Sequence, residues 1–161
     1  MARSRRDRRR GREAALQVLY QWEVGRADLE VAIDTFFDLQ WDGAEPPSDE
    51  VRLFASELTR DTVSRLASID ALVAETAERW RPERMALIDR LILRLAICEL
   101  LREAPTPPAV VINEALELAR TFSTEDAVKF INGMLDGVRK KLESRVPGSG
   151  REPGGGARAE E

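Results

Sequence analysis

Apolar side chains recur along this chain at the three- and four-residue spacing of an amphipathic helix. Ala15, Val18, Leu19 and Trp22 stand at i, i+3, i+4 and i+7, positions that share one face of a helix. The spacing therefore predicts a first helix over about 8–24, stopped at Gly25. A second, shorter helix fits 29–39. The stretch WDGAEPPSD that follows has the composition of a loop, and Ser48 or Asp49 is placed to cap the next element. From 50 to 80 the helical period continues, with a break expected near Ser68, and Arg81-Pro82 opens another helix.

The segment 83–102 departs from the one-sided pattern. Leu87, Ile88, Leu91, Ile92, Leu93, Leu95, Ala96, Ile97, Leu100 and Leu101 cover most of its circumference, as in a central helix packed on several sides. TPP then restarts the chain, and Val111, Ile112, Ala115, Leu116, Ala119 and Phe122 form the next stripe. Ser123 to Asp126 reads as a capping box with Asp in place of Glu or Gln, ahead of a last helix that ends near Arg145. No alternating strand pattern interrupts the series, so the expected fold class is all-α, with about seven helices. The length suits one domain or two small subdomains sharing a core. Beyond Pro147 the chain is Gly, Pro, Ser and charge, too little apolar surface to offset chain entropy, and 147–161 is expected to be disordered.

On the last helix, Ala127, Val128, Ile131, Met134, Leu135, Val138 and Leu142 fall within one arc at about 100° per residue and form its core stripe. Asp126, Lys129, Phe130, Gly133 and Gly137 gather on a different face. Glycine inside a helix costs about 1 kcal/mol against alanine, so a bare strip beside a ring and a lysine calls for a reason. Two readings stand side by side. The glycines admit a neighbouring helix and Phe130 tucks under a loop, or Phe130 is a platform for an unstacked base with Lys129 on phosphate.

Charge changes the picture at the amino end. Seven arginines stand between Arg3 and Arg12 against one acid, Asp7, in a chain of net charge -4, so the remainder is strongly acidic. The guanidinium fork donates two hydrogen bonds to a phosphate and stays charged at any relevant pH. A solvated, solubilising run is the plain alternative. Continuation of the run into a core-anchored helix favours nucleic acid.

Several chemistries lack their parts. With no histidine, Ser-His-Asp and Cys-His pairs and the commonest metal ligand are absent. No P-loop or strand-linked GxGxxG occurs, and the carboxylates fall mostly on polar helix faces, so neither catalysis, a metal nor a cofactor is expected. The single cysteine, Cys98, cannot form an internal disulfide, so the cytoplasm is the default location. No apolar run reaches the roughly 18 residues of a membrane span. The amino end lacks the apolar core of a signal peptide, although an arginine-rich organelle presequence fits the same stretch.

Three stretches, in order, resemble the bacterial NusB family of transcription antitermination factors: RRRGREAALQVLYQWEVG, LIDRLILRLAICELL and VVINEALELARTFSTEDAVKFINGMLD. The resemblance runs from Arg8 to Leu142. It implies an all-helical fold of two subdomains, about 8–80 and 82–145, and a function without catalysis. That function is binding of the boxA element of nascent ribosomal RNA together with NusE, a ribosomal protein, within the antitermination complex on RNA polymerase. Arg9, Arg10 and Arg12 match the family's arginine-rich motif, and Asp126, Lys129 and Phe130 its RNA-contacting region. Tyr20 and Asp89 match positions in or near the partner surface, although Tyr20 equally suits a core position with its hydroxyl at the rim. Some relatives self-associate through the surface that otherwise meets RNA, which leaves a homodimer open. The chain departs from shorter members in its tail and its longer arginine run. A fused RNA cytosine methyltransferase, the enzymatic variant of this domain, finds neither a Gly-rich cofactor loop nor an active-site cysteine pair here. The remaining alternative is a helical scaffold that binds only proteins.

Overall fold

The computed structural model describes residues 2–77, 82–102 and 106–145. Its helices are α1 (Ala2–Gly25), α2 (Leu29–Thr35), α3 (Asp49–Ser64), α4 (Leu66–Thr76), α5 (Leu87–Leu101), α6 (Pro108–Phe122) and α7 (Glu125–Arg145), with a π-turn at Phe36–Gln40 and a 3-10 turn at Pro82–Arg84. The described residues contain no strand, in agreement with the all-α expectation. None of the described helices is long and apolar enough to cross a membrane.

Element boundaries shift where local chemistry overrides period. α1 starts at Ala2 because arginine is a good helix former, and the run extends the helix ahead of the apolar stripe. The second helix gives way to the π-turn at Phe36, and this wider turn lets consecutive rings, Phe36 and Phe37, both face inward, with Trp41 stacked on Phe37 at 6.0 Å. The α3–α4 break falls at Arg65 rather than near Ser68. There the hydroxyls of Thr62 and Ser64 donate to the carbonyls of Leu58 and Asp61, a competition for backbone acceptors that bends helices. The helix expected from Arg81-Pro82 begins instead at Leu87, after the 3-10 turn. Trp80, Arg81 and the tail 147–161 lie outside the described residues.

Two caps differ in their outcome. Ser48 accepts from the Val51 amide at 3.2 Å, as expected. The cap of α7 is Thr124, whose hydroxyl accepts from the Ala127 amide at 3.1 Å. The capping box placed one residue earlier is therefore corrected, since Ser123 is extended and its hydroxyl donates to the Asp89 carboxylate.

α5 occupies the centre. Leu91, Ile92, Leu93, Leu95, Ala96, Ile97 and Cys98 are all buried, and α1, α3, α4, α6 and α7 pack around them. All seven helices add buried side chains to one continuous cluster, so the halves on either side of residue 82 share a core. α1 enters this cluster with Ala14, Ala15, Leu16, Val18 and Leu19, which fixes the direction of the arginines preceding them.

Candidate nucleic-acid interface

The arginines of α1 fan outward in a fixed order because the helix is continuous. Arg5, Arg9 and Arg12, at i, i+4 and i+7, share the face toward α5 and α6. Arg9 donates from Nε and Nη2 to the two oxygens of Glu114 on α6, at 3.1 and 3.0 Å. Arg12 makes the same double contact with Glu99 on α5, at 2.8 Å for both bonds. The two pairs differ in burial. Arg12 and Glu99 are 5% and 6% exposed, whereas the Arg9 side chain is 48% exposed over a Glu114 that is 8% exposed. Arg12 is further enclosed by the Phe54 ring, 5.4 Å from its guanidinium, and α1 lies against that ring at Gly11, where a Cβ would come within 2.6 Å of Phe54 Cδ1. Arg12 thus pins α1 to α5 and presents no edge to solvent, while Arg9 does.

Arg10 points to another side, with its guanidinium 4.7 Å from the centre of the Trp41 ring. Gly43 lies beneath this stack, and a Cβ there would come within 2.8 Å of Arg10 Nη2 and 2.5 Å of Trp41 Nε1. The loop after the π-turn therefore steadies a second, partly exposed arginine.

The local charges respond to this packing. Hydrogen bonding from Arg9 holds the Glu114 carboxyl below the usual glutamate value and in turn raises Arg9, with the charge of Arg5 adding to the effect on Glu114. Burial raises Glu13, against the opposing pull of Arg10 and Arg9.

The α7 face is built as the helical spacing predicts. Ala127, Val128, Ile131, Met134, Leu135 and Val138 are buried and Leu142 is half-buried, while Asp126, Lys129, Phe130 and Gly133 are exposed. Phe130 leaves 42% of its surface open to solvent, and Lys129 has no ion-pair partner among the described residues. The glycines divide between the two readings. Nothing stands within 4 Å of a Cβ built on Gly133, whereas on Gly137 it would come within 2.6 Å of Thr76 Cγ2 on α4. Gly137 is thus a close helix contact, and Gly133 belongs to the bare strip.

α6 links the two patches. Arg9 is bonded to α6, and α7 packs back along α6 after the two-residue turn Ser123–Thr124. Counting away from that turn, Phe130 comes level with about Glu117, whose charge reaches Arg9. The arm is thus bonded to α6 at Glu114, and the ring lies at about the level of Glu117 on the helix packed against α6.

Tyr20 and Asp89 lie near each other at the other end of α6. Tyr20 is exposed and lines a shallow depression with Leu16, Gln17, Ile88 and Phe122. Asp89, next to Ile88 in the first turn of α5, accepts from Ser123 in the α6–α7 turn. Among the described residues, no group of three or more His, Cys, Asp or Glu side chains could hold a metal ion. Glu99 and Glu114 were not singled out from the sequence, yet each is an acid set inside an apolar stripe, which is a readable signal for a buried partner.

Residues 9–140 match the model of the NusB family. The chain is 45% identical to the transcription antitermination protein NusB of Solibacter usitatus, over 84% of this chain and 90% of that protein. It is 44% identical to the NusB of Koribacter versatilis, over 85% and 91%. A solved structure of T. maritima NusB superposes with a TM-score of 0.73 at 36% identity, over 83% of this chain and 91% of that one. A crystal structure of antitermination factors NusB and NusE in complex with dsRNA shares the fold, at a TM-score of 0.70 and 23% identity, over 88% and 99%.

Proposed function

This chain belongs to the NusB family of transcription antitermination proteins, and we propose that it binds the boxA element of nascent ribosomal RNA together with NusE, within the antitermination complex on RNA polymerase. The observation that carries this reading is a half-exposed Arg9 bonded to Glu114 on α6 together with an exposed Phe130 on α7, the helix packed against α6. Arg9, Arg10 and Lys129 meet phosphates, and Phe130 stacks on an unpaired base, the usual way single-stranded RNA is held. Asp126, one turn before Phe130 on the same face, accepts from a base edge. Arg12 supports the interface by fixing the direction of α1. The N-terminal subdomain, about 8–80, supplies the arm, and the C-terminal subdomain, about 82–145, supplies the ring-bearing face.

Tyr20 and Asp89 belong to the surface that meets NusE. The apolar depression around Tyr20, with the Asp89 carboxylate at its edge, suits a protein partner better than a nucleic acid. The role is non-catalytic and takes place in the cytoplasm.

A scaffold that binds only proteins draws on one observation, the engagement of Arg9 and Arg12 by internal carboxylates. Titration of labelled boxA RNA and a scrambled control, with and without NusE at two salt concentrations, separates the two readings. RNA contact predicts preference for boxA and an affinity that falls steeply with salt. Absence of binding to either RNA, with NusE or without it, overturns it in favour of the scaffold.

A further inference from the structure

The two arginine–glutamate pairs of α1 are chemically alike and sterically different. In each, Nε and Nη2 of the guanidinium meet both carboxylate oxygens, so the inner edge of the fork is filled. Around Arg12 the outer edge is filled by protein as well. Arg9 keeps about half of its side chain in solvent, above a carboxylate that is itself almost wholly covered. A guanidinium has a second edge, between Nη1 and Nη2, that can take another bidentate acceptor, and Nη1 of Arg9 makes no hydrogen bond among the described residues.

We propose that Glu114 is a positioning residue for RNA: it grips the inner edge of Arg9 from α6 and leaves the outer edge aimed at one phosphodiester. This rests on the RNA-binding function proposed above. A free arginine on the first turns of a helix samples many rotamers, and ordering it on a ligand weakens binding. Glu114 removes that ordering step. It is held for the task by its own burial on α6, where Val111, Ala115 and Leu118 are likewise covered. The depressed carboxyl value of Glu114 keeps the grip charged throughout the neutral range.

The opposite role is also conceivable for such a carboxylate, that of an internal competitor which phosphate must displace. The sign of one substitution separates the two. Removing an acid beside bound phosphate strengthens attraction by itself, so a competitor's loss tightens binding and only a positioning role makes its loss weaken it.

The test titrates fluorescent boxA RNA with the full chain and with Glu114→Gln in the presence of NusE, across a salt series. The variant is expected to bind roughly three- to tenfold more weakly, the range for one side chain left to order on binding. Its plot of log affinity against log salt is expected to be shallower by about 0.7, one single-strand phosphate contact. Equal or tighter binding by a folded variant overturns the proposal while leaving the RNA-binding function standing; wild-type protein that binds no RNA overturns both. Should the variant not fold, the Arg9 Nε–H resonance of the wild-type chain decides. It is expected to keep its carboxylate-bonded shift in saturating RNA, and its displacement would refute a retained grip.

Discussion

Arg12 and Glu99, 87 residues apart in the chain, join α1 to α5 through two hydrogen bonds of 2.8 Å inside the protein. Removing one member strands the other charge without a partner, a change that costs about 3–5 kcal/mol in buried pairs. Arg12→Gln is therefore expected to lose most of its stability in urea unfolding. Replacing both members, as Arg12→Met with Glu99→Leu, is expected to restore stability to near the wild-type value, because well-packed apolar pairs of similar volume substitute for buried ions. A single substitution that unfolds like wild type would remove the structural role assigned to this pair.

Arg9→Gln behaves differently, because its guanidinium is half in water and exposed pairs contribute about 0–1 kcal/mol. Its expected effect on folding is small. Its effect on RNA is a weaker affinity for boxA and scrambled sequences alike, with a flatter salt dependence. Selective loss of boxA preference at constant salt slope would show that Arg9 does not contact phosphate.

Phe130→Ala removes an exposed ring, so the fold is expected to survive it. RNA affinity is expected to fall by about 1–3 kcal/mol, the measured range for a stacked base. Circular dichroism establishes the fold and anisotropy titration the affinity. Wild-type affinity in a folded variant would end the stacking role.

The two glycines of α7 give a paired test. Gly133→Ala adds a methyl into open space and is expected to stabilise the helix by up to about 1 kcal/mol. The same change is expected to weaken RNA binding if the strip beside Phe130 lies against the ligand. Gly137→Ala drives a methyl into Thr76 and is expected to lower the melting temperature. Equal thermal effects of both changes would contradict the close contact at Gly137.

Acid response follows from two glutamates with opposite displacements. Arg9 lowers Glu114, so its contribution to stability is complete above the ordinary glutamate value and disappears as pH falls through the depressed one. Burial raises Glu13, so its ionisation opposes folding as pH rises above the ordinary glutamate value, and in full above the raised one. Glu114→Gln should accordingly show less acid destabilisation than wild type between about pH 7 and about pH 3. Glu13→Gln should melt higher than wild type at about pH 7 and together with it at about pH 3. Thermal melts at the two values check both signs.

Period and punctuation carried most of the fold. The all-round apolar pattern of 83–102 located the central helix, and the stripe on the last helix separated buried from open positions except at Gly137, which meets Thr76 on α4. What escaped were features set by interactions between distant segments. Nothing in the local sequence around Phe36 distinguishes an α-turn from a π-turn, because the choice depends on where Trp41 comes to rest. Ser123 looked like a cap because its intended partner, Asp89, lies 34 residues earlier in the chain. At the candidate site, residue type identified the arginines as a group. Only packing distinguishes Arg9 from Arg12, since each has a glutamate partner on another helix and the difference lies in what covers them.

α1 has a further consequence because the same unbroken rod carries the cationic arm and the apolar residues Ala14 to Leu19. A load applied to its first turns has no hinge in which to dissipate before it reaches the interior. Slower amide exchange after ligation should thus extend well past the points of contact, so that the middle of the protein registers an event at its edge.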